Sequence, residues 1–213
     1  QGYSLNAGQG SGVGDNCFEI DGAEFQDAQP RTTGTIYNFT AVGQPLVGDG
    51  GTTWRDNARV QYRNCVWMDL GEKLVRFDDD DGDGSGGYSG DKSGSRTTSA
   101  DGTLSWVDHW QTSLSEWIAG PNSAVNLCGV DPNLLYGHMD NDGNLCEIKD
   151  SVFYRNLHSD AYTEATDLGL LDAHYNNVRI TGDAQGTDMP IRSIARGALV
   201  STPKGDVLPV AHI

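Results

Sequence analysis

Two stretches of the chain carry oxygen ligands at a spacing that suits a hard metal ion. The first runs from Asp78 to Gly84, and within it Asp79, Asp81 and Asp83 alternate with other residues. Alternation places three carboxylates on one side of a loop, and the glycine that follows permits a sharp turn. Calcium takes six to eight oxygen ligands, so it would relieve the repulsion among these side chains. We therefore predict a calcium site formed by the three aspartates, and the alternative is an acidic loop that is only solvated.

The second stretch contains Asp140, Asp142 and Asn144, with Gly143 to supply the turn. The spacing again brings three oxygen ligands together, and we predict a second calcium site here. The alternative is a turn in which Asp and Asn side chains bond only to the nearby backbone.

The D-x-D-x-D-G spacing from Asp79 to Gly84 resembles the opening of EF-hand and dockerin calcium loops. Residues 140–144 resemble the Asp-rich loops of dockerins and thrombospondin type 3 repeats. The first loop departs from the EF-hand pattern where a bidentate Glu is needed, because this chain has Gly90 there. The resemblance, which is confined to these short loops, implies calcium that orders a loop at a strand end and takes no part in catalysis.

Trp54 is the candidate ligand-binding residue. It lies close to the glycine pair Gly50-Gly51, among polar neighbours, and an exposed indole in such a place can stack on a sugar ring. The alternative is a ring that covers the edge of a sheet. The chain has neither an H-E-x-x-H nor a G-x-S-x-G motif, and its six glutamates are too scattered to indicate a glycosidase pair. The sequence therefore names no catalytic residue.

The charge of the chain excludes several kinds of partner. The formal net charge is −16, from 30 acidic and 14 basic residues. Such a charge repels phosphate backbones and anionic lipid, so we expect no nucleic-acid binding. No apolar run approaches the length of a membrane span, so we expect no membrane insertion.

The four cysteines predict two disulfides. None of them forms a C-x-x-C pair, which disfavours zinc ribbons and thioredoxin-like sites. Three pairings are open, and we favour Cys17–Cys65 with Cys128–Cys146 because these close the shorter loops. Disulfides form in oxidising compartments, and a chain that begins at Gln1 is typical of a processed secreted protein. We therefore predict a secreted or cell-surface protein.

The elements that must position these residues are mostly strands. Runs of β-branched and aromatic residues predict strands at 17–20, 35–42, 59–68 and 73–77, and the side-chain pattern suggests a register shift near Asn64. No repeat of 20–50 residues is visible. We predict a mainly β fold, an antiparallel sheet or sandwich with many long loops. Residues 1–16 would be a flexible arm or an exchangeable strand, and residues 17–213 a single disulfide-linked β-rich domain.

One amphipathic helix is predicted at about residues 106–118. Ser105 can cap it, with Asp108 in the place of a capping-box acid. Its apolar residues recur at helical spacing on one face, which is more typical of packing on a sheet than of ligand binding: Trp106, Trp110, Leu114, Trp117 and Ile118.

Together these features favour a secreted, calcium-stabilised binding or structural module, such as an adhesin or a subunit of an extracellular assembly. Its expected partners are further copies of itself, through the N-terminal arm, or carbohydrate. The alternative is a secreted hydrolase acting on polysaccharide, with calcium in a structural role. A metal-scavenging surface protein is a weaker third hypothesis.

Overall fold

The computed structural model describes residues 16–22, 32–43, 50–55, 58–77, 110–119, 137–156, 158–159, 161–163, 169–180, 198, 200–202 and 205–207. The strands in this part of the chain are β1 Asn16–Asp21, β2 Thr33–Tyr37, β3 Thr40–Val42, β4 Gly50–Arg55, β5 Arg59–Arg63, β6 Val66–Met68, β7 Val75–Phe77, β8 Glu147–Lys149, β9 Val152–Tyr154, β10 Val178–Ile180, β11 Val200–Thr202 and β12 Gly205–Val207. A helix, α1, spans Leu114–Ala119, and a 3₁₀ turn spans Ala173–Tyr175.

The strands form three parallel sheets, and the chain contributes one strand to each sheet in turn before it returns to the first. The first sheet has the order β1-β4-β7, the second β2-β5-β8 and the third β10-β9-β6-β3. Every pairing within them is parallel. Successive turns of the chain therefore stack as coils, which is the architecture of a parallel β-helix. The predicted antiparallel sheet or sandwich is wrong, and antiparallel pairing of named strands occurs here only in the β11–β12 hairpin.

The coil turns between the second and third sheets at a left-handed residue. Asn38, Asn64, Asp150 and Asn176 occupy this corner in the four coils, with φ between 51° and 58°. Asn and Asp tolerate this conformation better than other residues with a side chain. The single strand predicted over residues 59–68 is broken at Asn64, where the register shift was expected, since this corner separates β5 from β6.

The period of the coil was hidden by one long insertion. Asn38 and Asn64 bond to each other across 26 residues, and Asp150 and Asn176 do so across the same separation. Between the second and third coils the separation is 86 residues, as in the bond from the Cys65 amide to the Ser151 hydroxyl. The additional residues lie within the segment of residues 78–146 between β7 and β8, which we call the insertion. It interrupts the repeat that a search of the sequence would otherwise find.

The core lies inside the coils and is rich in aromatic rings. The Trp67 ring lies 4.7 Å from that of Phe39 and 5.2 Å from that of Tyr62, both nearly perpendicular to it. Edge-to-face contacts of this kind add about 0.5–1.5 kcal/mol each to the burial of the rings. Inside this stack the Tyr62 hydroxyl pairs with the Thr52 hydroxyl at 2.8 Å. Burial raises the pKa of Tyr62, so the phenol stays neutral.

The predicted helix is interrupted. Trp110 and Gln111 are helical, but the helix resumes only at Leu114. Ser113 begins this second segment, because its hydroxyl accepts the Glu116 amide and the Glu116 carboxylate accepts the Ser113 amide at 3.1 Å. That reciprocal pair is a capping box. The predicted apolar face is confirmed at the positions that the structure describes, since Trp110, Leu114 and Trp117 are buried. The proposed cap at Ser105 and Asp108 lies outside the described residues.

The predicted disulfides are wrong for the cysteines that the structure describes, because no pair of them lies at bonding distance. Cys17 is in the first sheet, whereas Cys65 follows the corner between the second and third sheets. The Cys65 thiol instead donates to the Arg63 carbonyl at 3.0 Å, and burial raises its pKa. Cys146 is fully buried inside the coils, and its predicted partner Cys128 lies outside the described residues.

Candidate functional site

The outer face of the second sheet is polar and yet buried. In β5, Val60 and Tyr62 point into the coil, so the alternate side chains point outward. Those side chains, together with neighbours on β2 and β8, form what we call the polar platform: Thr35, Arg59, Gln61, Arg63 and Glu147. Four of the five are buried, and Thr35 is half-buried. They are covered by parts of the insertion, which folds back over this face.

Gln61 is the centre of the platform. Its side-chain oxygen accepts hydrogen bonds from the Thr35 hydroxyl and the Asp140 amide, both at 2.8 Å. Its side-chain nitrogen donates to the carbonyls of Asp140 at 3.0 Å and Asn144 at 2.9 Å. One buried amide thus uses both of its ends to hold residues 140–144 against the sheet.

Arg63 joins two carboxylates beside Gln61. Its Nη2 lies 3.3 Å from Glu147 Oε2 and 3.6 Å from Asp140 Oδ2. The same Glu147 oxygen accepts the amide of Asn144. A Cβ at Gly143 would overlap Arg63 Nη2, so glycine lets the loop approach the guanidinium without displacing that side chain.

The residues of the second predicted calcium site take part in this arrangement. Asp140 Oδ1 accepts the Asp142 amide at 3.1 Å in a turn, and its other oxygen faces Arg63. The side-chain nitrogen of Asn144 donates to the Trp110 carbonyl at 2.5 Å. A guanidinium therefore supplies the positive charge that calcium was expected to bring. Among the described residues no group of three or more His, Cys, Asp or Glu side chains is gathered to hold a metal. The prediction of a calcium-binding, disulfide-bonded protein is wrong for this part of the chain.

The first predicted calcium site lies outside the described residues. Asp79, Asp81 and Asp83 all belong to the insertion, in the part that directly follows β7. Calcium at these three side chains stays a prediction from the sequence alone.

The insertion brings a small apolar core of its own to the platform. Leu114 and Trp117 of α1 pack with Met139 and Leu145 in a cluster separate from the main core. The guanidinium carbon of Arg59 lies 4.2 Å from the centre of the Trp117 ring. A cation over an indole face is favourable by about 0.5–2 kcal/mol, depending on desolvation. The platform therefore contacts the insertion through a cation–π pair as well as through hydrogen bonds.

Tyr175 ties the insertion to the end of the β-helix. Its hydroxyl lies 3.4 Å from the side-chain nitrogen of Asn144, and its ring lies 5.3 Å from that of Trp110. Burial, helped by the charge of Glu147, raises the pKa of Tyr175 to about 12. The phenol is therefore neutral at ordinary pH and acts as a hydrogen-bonding contact.

His138 holds the rim of the platform. Its Nε2 lies 2.8 Å from the Thr33 hydroxyl and 3.0 Å from the Thr33 carbonyl. It is exposed and reaches the outer edge of β2. In chemical terms the described polar side chains here serve to fasten the insertion, because Gln61, Arg63 and Glu147 all contact the loop at residues 140–144.

Trp54 belongs to the core. It lies in β4, the strand that begins with the glycine pair Gly50-Gly51. Its ring is fully buried, 5.7 Å from Tyr62 and 6.1 Å from Trp110. Stacking on a sugar requires an open ring face, which this indole does not have.

Sequence reasoning missed Gln61 and Arg63. Their signal was present as the alternation Arg59-Val60-Gln61-Tyr62-Arg63, in which every second residue is polar. That pattern normally indicates a solvent-facing side of a strand. Nothing local in it shows that a distant segment will bury the polar side.

No family model matches this chain. No curated protein and no solved structure shows significant similarity to it either. Among the described helices none has the length and hydrophobicity that crossing a membrane would require. Function must therefore be argued from the platform and the insertion.

Proposed function

We propose that the chain is a binding or structural module in which a rigid β-helix presents the insertion to a partner. The observation that supports this proposal is that the polar side chains of the platform bond to the insertion. Gln61 and Arg63 are committed to the loop at residues 140–144, and Glu147 completes the same network. Buried hydrogen bonds favour one arrangement of the groups that make them, because breaking one leaves a desolvated partner unsatisfied. The platform thus fixes both the start of β8 and the position of the insertion above it.

The charge of the insertion favours a neutral or cationic partner. Residues 78–146 hold 12 of the 30 acidic residues of the chain and 2 of its 14 basic residues. A field of this sign repels anionic polymers and speeds the approach of cationic ones. Among carbohydrates, amino sugars and neutral glucans suit this surface better than uronic acids.

The experiment is a calorimetric titration of the full chain with chitosan oligosaccharide, cellohexaose and polygalacturonate, each measured separately. We expect chitosan oligosaccharide to bind with an affinity that falls as salt rises, and polygalacturonate not to bind. The matched variants are Gln61→Met, which releases the loop from the platform, and Val66→Ala on the third sheet. Only the first should weaken binding.

The competing function is a polysaccharide hydrolase, and the same samples test it. Reducing ends that accumulate with time in any of the three mixtures would show turnover and overturn the proposal. Absence of binding to both chitosan and cellohexaose would overturn the carbohydrate partner.

An extracellular location is part of this proposal. Disulfides do not support it, because the cysteines that the structure describes are not joined in disulfides. The remaining support is the strong acidity of the chain. Immunodetection on intact source cells and in their medium tests the location. Signal confined to the lysate would contradict it.

A further inference from the structure

We propose that Asn38 is a modification site, at which an N-linked glycan is attached to the side-chain nitrogen. Asn38-Phe39-Thr40 is the single Asn-x-Ser/Thr triplet in the sequence, and its middle residue is not proline. Such a triplet is the acceptor pattern for N-glycosylation in secreted proteins. The inference rests on the extracellular location that is part of the proposed function, because the modification belongs to chains that enter a eukaryotic secretory pathway.

The triplet lies at the surface of the fold, as a glycan requires. Asn38 occupies the corner between β2 and β3, and both it and Thr40 are exposed. Phe39 between them turns inward, where its ring lies 4.7 Å from that of Phe18. On the other side of the corner, Tyr37 is 55 % exposed. A glycan is bulky and strongly solvated, so it suits an asparagine whose neighbours also face solvent.

The side-chain nitrogen of Asn38 is available for the modification. Its side-chain oxygen accepts a hydrogen bond from Asn64 Nδ2 at 2.6 Å, whereas its own Nδ2 donates to no residue that the structure describes. The other asparagines of this corner use their nitrogens. That of Asn64 is engaged by the bond to Asn38, and that of Asn176 donates to Asp150 at 2.8 Å. The triplet thus begins at the corner asparagine whose nitrogen the described contacts leave unused.

Other described asparagines hold the backbone in place through the same atom. The side-chain nitrogen of Asn144 donates to the Trp110 carbonyl, and that of Asn156 donates to the Trp67 carbonyl. The side-chain nitrogen of Asn177 donates to two backbone carbonyls. A glycan on any of these three would compete with bonds that the fold uses. At Asn38 the modification breaks no described contact.

The chemistry of the transfer is compatible with the corner. The co-substrate is an oligosaccharide linked to a polyprenyl pyrophosphate. Asn38 Nδ2 attacks the anomeric carbon of the first sugar, and a carbon–nitrogen bond forms as the bond from that carbon to the pyrophosphate oxygen breaks. The nitrogen loses one proton, and the lipid pyrophosphate leaves with the bonding electrons. The product keeps the side-chain oxygen and one N–H, so the hydrogen bond from Asn64 survives.

Secretion of the full chain from a eukaryotic host, followed by intact mass measurement, tests the proposal. We expect a mass that exceeds the sequence mass by one glycan and returns on treatment with peptide N-glycosidase, which leaves an aspartate at position 38. The matched variants are Thr40→Val, which removes the hydroxyl of the triplet, and Thr40→Ser, which keeps it. Both should fold, because Thr40 is exposed. We expect a glycan on Thr40→Ser and none on Thr40→Val.

The same mass measurement on the chain from its source separates this inference from the proposed location. A glycan mapped to Asn38 in the source medium would support both. A chain found in the medium with an unmodified Asn38 would overturn the glycosylation site and leave the location standing, whereas an unmodified chain confined to the lysate would overturn both. In the eukaryotic host, an unmodified Asn38 in the secreted chain, or a glycan that persists in Thr40→Val, would also overturn the site.

Discussion

Gln61 and Tyr62 are neighbours in one strand, and both are fully buried, but they are buried by different means. Tyr62 points into the coil, where it meets Trp54, Trp67 and other rings. Gln61 points out of the coil, where its amide is enclosed by the loop at residues 140–144. The inner face of the sheet is held by apolar packing, and the outer face is held by hydrogen bonds.

Because of this difference, substitutions on the two faces of the sheet should affect stability in different ways. Apolar burial is non-directional and scales with area, so the inner face loses stability in proportion to the atoms removed. A buried hydrogen-bond network depends on each partner, because one missing group leaves others desolvated and unsatisfied. Changes inside the coil should therefore affect the whole molecule. Changes on the platform should first release the insertion.

The largest effect is expected from Trp67→Ala. Removing this ring leaves a cavity among Phe18, Phe39 and Tyr62, and such truncations cost about 3–5 kcal/mol. Urea unfolding followed by fluorescence and by circular dichroism should show both probes moving together. Val66→Ala, at the outward-facing neighbour, is the matched control and should cost about 1 kcal/mol or less. Similar losses in the two variants would contradict the assignment of the inner face.

Gln61→Met should come next, at about 2–3 kcal/mol. Methionine has a similar size but cannot satisfy the Asp140 amide or the carbonyls of Asp140 and Asn144. Hydrogen exchange should accelerate at Asp140 and Leu145 while the Val152 amide, bonded to the Cys65 carbonyl, stays protected.

Thr35→Val serves as the control for that change. It removes a single donor to Gln61, so its cost should be about 1 kcal/mol and the insertion should stay in place. If Gln61→Met accelerated hydrogen exchange equally at Val152, the insertion and the core of the β-helix would unfold together, which would contradict the prediction.

Local features of the fold could be predicted from the sequence, whereas contacts between distant segments could not. The strands at residues 17–20 and 73–77 were predicted near their observed positions, because runs of β-branched and aromatic residues favour strands locally. The parallel direction of strand pairing was not predicted. Each strand of a β-helix pairs with a strand one coil away in the sequence, and the insertion interrupts the regular spacing that would have revealed the coils. The ion pair of Asp140 with Arg63 was not predicted either, because the two residues lie far apart in the sequence.

Ser113→Ala tests the start of α1, the part of the insertion that covers the platform. The hydroxyl accepts the Glu116 amide at 3.2 Å, and losing an N-cap of this type costs about 1 kcal/mol. Ser113→Asp should restore most of that loss, since a carboxylate also caps the first turn. Thermal unfolding of the three proteins measures it. A variant as stable as the original chain would show that the cap contributes nothing.

Asp150→Asn should stabilise the corner by about 0.5–1 kcal/mol. In the first pair of coils the Asn64 side-chain nitrogen donates to Asn38 at 2.6 Å, and in the last pair Asn176 donates to Asp150 at 2.8 Å. A carboxylate at position 150 has no nitrogen to donate toward Asn64, so the ladder is interrupted there. Asparagine would supply the donor and keep the left-handed conformation. Unfolding in urea at pH 7 should show a higher midpoint, and an unchanged or lower one would contradict the ladder.

The smallest effect is a dependence on pH at Glu116. Its carboxylate accepts the Ser113 hydroxyl at 2.7 Å and the Ser113 amide, and these bonds hold its pKa below the usual 4.5. A lowered pKa in the folded state adds stability that is present above the unfolded-state value and is lost as the pH falls through the folded-state value. Glu116→Gln cannot titrate, so the stability gap between it and the original chain should be constant from pH 6 to 8 and shrink below about pH 4.5. A gap that stayed constant throughout would mean that the carboxylate stabilises the insertion no more when charged than when neutral.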